Sequence, residues 1–181
     1  MLSVSDSPTV TLRARTDDDA EVLYHLAADL ETWEERSPAM PAPLTRSAYE
    51  ARLAARDGDS ADRAVNFVID ADGAAVGTVG LFDFDDLARQ AEVGIALIAE
   101  ARGKGIGTAA LAQIVEFGFL RCNLRRLHLE LIASNAGALR AYEKVGFVVE
   151  GRQREHAWVR GHYEDNIVMG LLRSEWASRR A

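Results

Sequence analysis

Between an apolar, strand-like run (Ala91–Ile98) and a long apolar helical pattern, the chain reads ARGKGIGT, with glycines at 103, 105 and 107. Glycine is costly at a helix start unless the backbone must turn unusually or be approached closely. The same unit constrains the fold. The helical pattern runs to about Arg121, and a second strand-like run follows at Leu127–Ile132. Strand, helix and strand in that order form a crossover whose two strands pair in parallel. The helix carries Leu111, Ile114, Val115, Phe117, Phe119 and Leu120 on most of its sides, so it is expected to be largely buried.

The rest of the chain reads as hairpins and short helices. Residues 9–15 alternate like a strand, and Thr16 then caps a helix opening on Asp17, Asp18 and Asp19. From Asp29 to Pro43, three prolines in six residues predict a loop, and Ser47 to Glu50 predicts a capped helix running to about Arg56. Runs at 64–69 and 74–82 flank Asp70-Ala-Asp-Gly73, a hairpin turn signal. Asn135–Lys144 predicts a short helix closed by Gly146, and 147–158 with 163–171 a last hairpin around Arg160-Gly161. The expected fold is α/β (α+β): a mixed, mostly antiparallel central sheet of six or seven strands flanked by helices. One domain over 1–181, with its core at about 9–172, accommodates all of it.

Composition narrows the function. The chain is acidic overall, with a net charge of −7, which argues against general nucleic-acid affinity. Residues 1–90 hold 8 basic and 18 acidic side chains, and 91–181 hold 13 and 10, so the halves differ in sign. That split suits a site facing a cation on one side and an anion on the other, although an uneven solvated surface produces it equally well. No apolar run approaches the roughly 20 residues that span a bilayer, and no secretory signal pattern opens the chain, so no membrane partner is expected. The single cysteine, Cys122, makes no internal disulfide and sits in an apolar helix as a structural thiol. A cytoplasmic location is expected, as is a homo-oligomer, a dimer first.

A glycine loop between strand and helix points to phosphate, because free helix N–H groups and the helix dipole favour an anion there. The spacing lacks the Gly-Lys-Ser/Thr of a P-loop, and Thr108 stands where a dinucleotide fingerprint needs its third glycine. What remains is Arg102-x-x-Gly105-x-Gly107-Thr108: bare backbone beside Arg102 and Lys104, suited to a pyrophosphate.

Arg-x-x-Gly-x-Gly at this junction resembles the acyl-CoA loop of the GNAT superfamily of N-acetyltransferases. Asn135-Ala-Gly-Ala138-Leu-Arg-Ala-Tyr142-Glu-Lys-Val-Gly146-Phe147 is similar to the segment that follows that family's fifth strand. Glu150-Gly151 through Gly161-x-Tyr163-x-Asp165 to Met169 resembles the ending of the RimJ/RimL and spermidine acetyltransferase branch. The resemblance implies a GNAT-like acyl-CoA N-acyltransferase fold and acetyl-CoA as co-substrate. It implies that Arg102, Gly103, Lys104, Gly105, Ile106, Gly107 and Thr108 hold the pyrophosphate. The pantetheine arm would lie beside Leu97 and Ile98, with Asn135 and Ala138 on its other side and Tyr142 as the acid that protonates the leaving thiolate.

The residues agree with that carry-over. Asn135 and Tyr142 are two helical turns apart and share a face, with the small Ala138 between them. Glu92 is a carboxylate inside an apolar strand, either a candidate base, acting through water, for an amine whose pKa is about 10.4 in a lysine-like group, or a partly exposed strand residue paired with an arginine such as Arg89. His128 and Glu130 share one face of the next strand, either as cleft residues or as a satisfied structural pair. Trp33, Glu34 and Glu35 (with Glu31 beside them), Glu130, His156 and Tyr163 (with Trp158 beside it) are the candidate substrate contacts, the alternatives being packing for the tryptophans and plain solvation for the loop acids. No cluster has metal-ligand spacing, so no metal is expected. The reading is an enzyme, an N-acetyltransferase acting by direct attack. Its acceptor is a small amine or polyamine, the alternatives being a protein N-terminus or a non-catalytic acyl-CoA-binding module.

Overall fold

The computed structural model describes residues 8–36, 42–57 and 63–180. Its seven strands are β1 (Val10–Arg13), β2 (Val65–Ala71), β3 (Ala74–Asp85), β4 (Gln90–Leu97), β5 (Arg126–Ile132), β6 (Val148–Val159) and β7 (His162–Leu172). They form one sheet in the order β1-β2-β3-β4-β5-β7-β6. Only β4 and β5 pair in parallel, as the crossover requires; the other neighbours are antiparallel. Turn chemistry closes the hairpins as expected, with positive φ at Asp72 (53°) and Gly73 (87°) and at Arg160 (47°) and Gly161 (92°).

The helices are α1 (Ala20–Ala28), α2 (Leu30–Arg36), α3 (Arg46–Asp57), α4 (Ile106–Leu120), α5 (Ala136–Val145) and α6 (Arg173–Ser178). The long apolar helix is α4, and it buries Ile106, Ala110, Leu111, Ile114, Val115 and Phe119 against Val79, Leu81, Val93, Leu127 and Leu129 of the sheet. Gly118 lets it sit close: a Cβ there would lie 3.3–3.5 Å from Leu81, Leu124 and Leu127. Trp176 of α6, a helix the sequence reading did not anticipate, stacks on Phe119 at 5.4 Å between ring centroids. Among the described residues, no helix is long and apolar enough to cross a membrane.

The N-terminal third departs from expectation in three places. The stretch from Asp29 is not wholly a loop, because α2 begins at Leu30. Asp29 Oδ2 accepts the N–H (2.9 Å) and the hydroxyl (2.5 Å) of Thr32, which starts a helix in the proline-free residues before Pro38. The cap of α3 is Thr45 rather than Ser47, its hydroxyl accepting the Ala48 N–H at 3.2 Å. Thr16 does open a helical turn, but Asp19 does more than face its dipole. Asp19 is 3% exposed and takes two bonds from Arg13 (2.7 and 2.8 Å), while Arg13 Nε reaches Asp70 at 2.9 Å. These bonds tie β1, β2 and the start of α1 together.

The pairing of β4 with β5 covers only Gln90–Glu92 with Arg126–His128. Beyond it, β4 stays with β3 as far as Leu97 and β5 stays with β7 as far as Ile132. The two strands therefore part, and the sheet opens in a V whose vertex is the Glu92–His128 pair.

Candidate active site

The β4 arm of the V presents backbone to the gap. The Ile98 N–H donates to the Val76 carbonyl of β3 at 3.0 Å. Hydrogen-bonded pairs alternate along an antiparallel ladder, so the peptide groups of Ile95 and Leu97 turn the other way, into the V. The Leu97 peptide therefore faces the V, whereas the Ile98 N–H is spent on the sheet; the second peptide facing the V belongs to Ile95.

At the mouth of the V, the glycine loop delivers the start of α4. The helix's first internal bond is Ala109 N–H to the Gly105 carbonyl (3.0 Å), so the N–H groups of Ile106, Gly107 and Thr108 have no acceptor within the helix. The three glycines do different jobs. Gly103 (φ 74°) and Gly105 (φ 81°) occupy the left-handed region, and a Cβ built on either meets nothing within 4 Å. Gly107 is instead a packing glycine, whose Cβ would lie 3.3 Å from Leu97. A cleft of about 440 Å³ runs from this loop along β4 to α5. Arg102, Gly103, Gly105, Gly107, Thr108 and Leu97 line it on one side, Asn135, Ala138 and Tyr142 on the other. Lys104 is exposed and outside the lining, and the Ile106 side chain is 4% exposed in the core, which leaves only its N–H for the site.

Arg102 is more than a free counter-charge. Its Nε donates to the Leu97 carbonyl (3.1 Å) and its Nη2 to the buried Thr32 hydroxyl (2.8 Å), so the loop is tied to α2. Sequence reasoning missed Thr32, and also Gly137, Arg140, Ala141 and Lys144, which line the cleft from α5. The signal for those four was present: 137, 140, 141 and 144 repeat the helical spacing already used for Asn135 and Tyr142. Arg140 and Lys144 add two cations to the wall opposite the α4 N-terminus.

Helix α5 is fixed at both ends. Asn135 Oδ1 accepts the Ala138 N–H (3.1 Å), so this oxygen is an N-cap, and Gly146 closes the helix at φ 118°. Tyr142 is 5% exposed, lies edge-on to Phe147 at 5.6 Å between centroids, and still lines the cleft.

Glu92 stands at the vertex, half-buried, outside the lining of this cleft. Burial, then the charges of Asp83 and Glu130, push its carboxyl up to about 7. His128 faces it across the strand pair and is held below the usual imidazole value by burial and by Arg126. Glu130 and His128 are not a satisfied pair. Glu130 accepts from Asn166 Nδ2 (2.6 Å), which also donates to Gln153 (3.1 Å), while His128 Nδ1 is buried without a hydrogen-bond partner among the described residues.

The expected substrate contacts are scattered. Glu34 pairs with Arg160 of the β6–β7 hairpin at 3.1 Å, and Trp33 is half-buried outside the cleft lining. The Glu35 side chain lies outside the described residues. His156 is exposed on β6, and Tyr163 stacks edge-on against Trp158 at the hairpin tip, 4.9 Å between centroids. Helix α2 therefore braces the mouth of the V, with Thr32 on Arg102 and Glu34 on Arg160. Cys122 is half-buried, and burial raises its thiol, which disfavours the thiolate.

This geometry has relatives. The spermidine N(1)-acetyltransferase of Escherichia coli (strain K12) is 33% identical over 110 residues, 61% of this chain and 59% of its own length. YdaF of Bacillus subtilis (strain 168), provisionally named a ribosomal N-acetyltransferase, is 32% identical over 105 residues, 58% of this chain and 57% of its own. The matched stretch thus spans less than two thirds of either relative. A crystal structure of spermidine N-acetyltransferase from Vibrio cholerae in complex with CoA and spermine superposes with a TM-score of 0.82. It is 27% identical, covering 93% of this chain and 98% of that one. The model of the acetyltransferase (GNAT) domain matches residues 9–148, and the parted β4 and β5 with a glycine loop at their mouth place this chain in that family: it is a GNAT acetyltransferase domain protein.

Proposed function

We propose that the protein is an acetyl-CoA-dependent N-acetyltransferase that acts on a small amine or polyamine by direct attack. One observation carries the reading: a single cleft joins the bare α4 N-terminus, the exposed β4 peptides and the buried Tyr142, with Glu92 at the vertex of the same V. The residues fit the co-substrate. Three helix N–H groups, Arg102, Arg140 and Lys144 suit a pyrophosphate, and the open space over Gly103 and Gly105 admits it. The Ile95 and Leu97 peptides and Asn135 flank the path of an amide-containing arm.

Bound acetyl-CoA supplies the acetyl thioester. Glu92, with a pKa of about 7, is ionised in part of the population at neutral pH and takes the ammonium proton through water. The Leu97 N–H, turned into the gap, is the donor placed for the developing oxyanion. Tyr142 offers the phenol whose proton goes to the departing sulfur.

The acceptor class rests on charge and likeness. Glu92, Glu130 and Asp83 make the face at the vertex acidic, and two of the relatives are spermidine acetyltransferases. The likeness to YdaF favours the second reading, a protein N-terminus as acceptor. Thiol release from acetyl-CoA, measured against monoamines, polyamines and N-terminal peptides, decides between them; release with peptides alone overturns the polyamine reading. Tyr142→Phe should keep acetyl-CoA affinity while turnover falls by roughly 10²-fold. Unchanged turnover, with chemistry rate-limiting, would remove Tyr142 from the acid's role.

A further inference from the structure

His128 is a half-buried titratable group at the vertex that takes no part in the proposed transfer. It stands directly opposite Glu92 where β4 and β5 last pair, so the two side chains rise from the same face of the sheet on strands about 5 Å apart. Its Nδ1 is buried with no partner among the described residues. An unpaired buried ring nitrogen is destabilising, and such atoms mark places where a ligand or water completes the pairing.

The surroundings specify the ligand. Burial and Arg126 keep the imidazole neutral against the carboxylates of Asp83, Glu130 and Glu150, which face it from β3, β5 and β6. Glu150 is itself engaged by Arg126 at 2.6 Å, and Glu130 by Asn166 at 2.6 Å. A neutral imidazole carrying its proton on Nε2 offers Nδ1 as an acceptor, which calls for a donor. A group seated between Glu92 and His128 must therefore present at least two N–H bonds and tolerate neighbouring negative charge. An alkylammonium has three such bonds and a positive charge.

We propose that His128 is an acceptor-binding residue of the acetyl-transfer site, its Nδ1 taking a hydrogen bond from the ammonium group whose proton Glu92 removes. This rests on the function proposed above. The imidazole holds the nitrogen in place while a different N–H bond is broken, and it undergoes no net proton change itself.

The test compares wild type, His128→Leu and His128→Gln with 1,4-diaminobutane and acetyl-CoA. His128→Leu should raise the KM for the amine about tenfold, the loss of one hydrogen bond to a charged group, while the KM for acetyl-CoA stays within about twofold. His128→Gln, which restores a carbonyl acceptor, should recover part of the loss. Calorimetry of the diamine on CoA-loaded protein should show the same ranking without turnover. In wild type alone, adding the diamine to CoA-loaded protein should shift the Nδ1 nitrogen resonance of His128, a readout that no folding defect can confound. An unshifted resonance, or an amine KM indifferent to His128→Leu in an active, folded enzyme, overturns this assignment and leaves the proposed function standing. A wild-type enzyme that acetylates no amine overturns both.

Discussion

Asp19 and Glu92 are both carboxylates withdrawn from water, and the protein treats them in opposite ways. Asp19, at the corner of β1, β2 and α1, receives both arms of the Arg13 guanidinium and the Thr16 N–H (2.8 Å), and these bonds hold it well below the usual carboxylate range. Glu92, at the vertex of the V, meets only influences hostile to its charge, and rises to about 7. Burial alone does not decide what an acid does. Paired burial makes a structural anchor that stays ionised, and unpaired burial makes a group able to exchange a proton near neutral pH.

Replacing each acid by its amide should separate the two roles. Glu92→Gln is expected to lower turnover by roughly 10²-fold or more while the fold is kept, since an amide cannot take the proton. Its folded pKa is raised, so in wild type the ionised form costs stability as pH climbs from the ordinary carboxylate value through about 7. Glu92→Gln should therefore melt no lower than wild type at alkaline pH; a large loss of stability there would break the comparison.

Asp19→Asn should do the reverse. It is expected to cost about 2 kcal/mol in urea unfolding, with little change in turnover per folded molecule. The folded pKa of Asp19 is depressed, so its contribution is complete above the unfolded value of about 3.8 and fades as pH falls below it. Acid unfolding of wild type should accordingly be steeper than that of Asp19→Asn. Equal acid sensitivity would mean that Arg13 does not stabilise the anion.

The smallest effect belongs to α2. Glu34 and Arg160 are partly exposed, so Glu34→Gln should cost under about 1 kcal/mol and leave the amine KM nearly unchanged at moderate salt. A severalfold rise in that KM, removed by added salt, would show that Glu34 attracts the acceptor after all.

What the sequence made legible follows from the range of the interactions involved. The glycine loop, the buried α4, the Asn135–Tyr142 face and the closing hairpin depend on turn chemistry and periodicity within a few residues, and all appear where expected. Helix α2 was obscured because the prolines just beyond it dominate its surroundings, while its cap, Asp29 on Thr32, is a single local contact. The fate of Glu34 depends on Arg160, 126 residues further along, and that of Arg102 on Thr32, 70 residues earlier. Glu92 could be singled out as a carboxylate in an apolar strand. Its partner across the vertex could not, because the register of β4 on β5 is set by how the crossover helix packs.

The central claim is that an uncompensated carboxylate at the vertex of the V deprotonates the acceptor. It is tested most directly by the pH dependence of kcat/KM for an amine whose own pKa, about 10, lies far from neutrality. The account predicts a profile that rises with pH, carries an inflection near 7 from Glu92, and loses that inflection in Glu92→Gln. A wild-type profile with no inflection between about pH 6 and 8, or one that persists unchanged in Glu92→Gln, would contradict it.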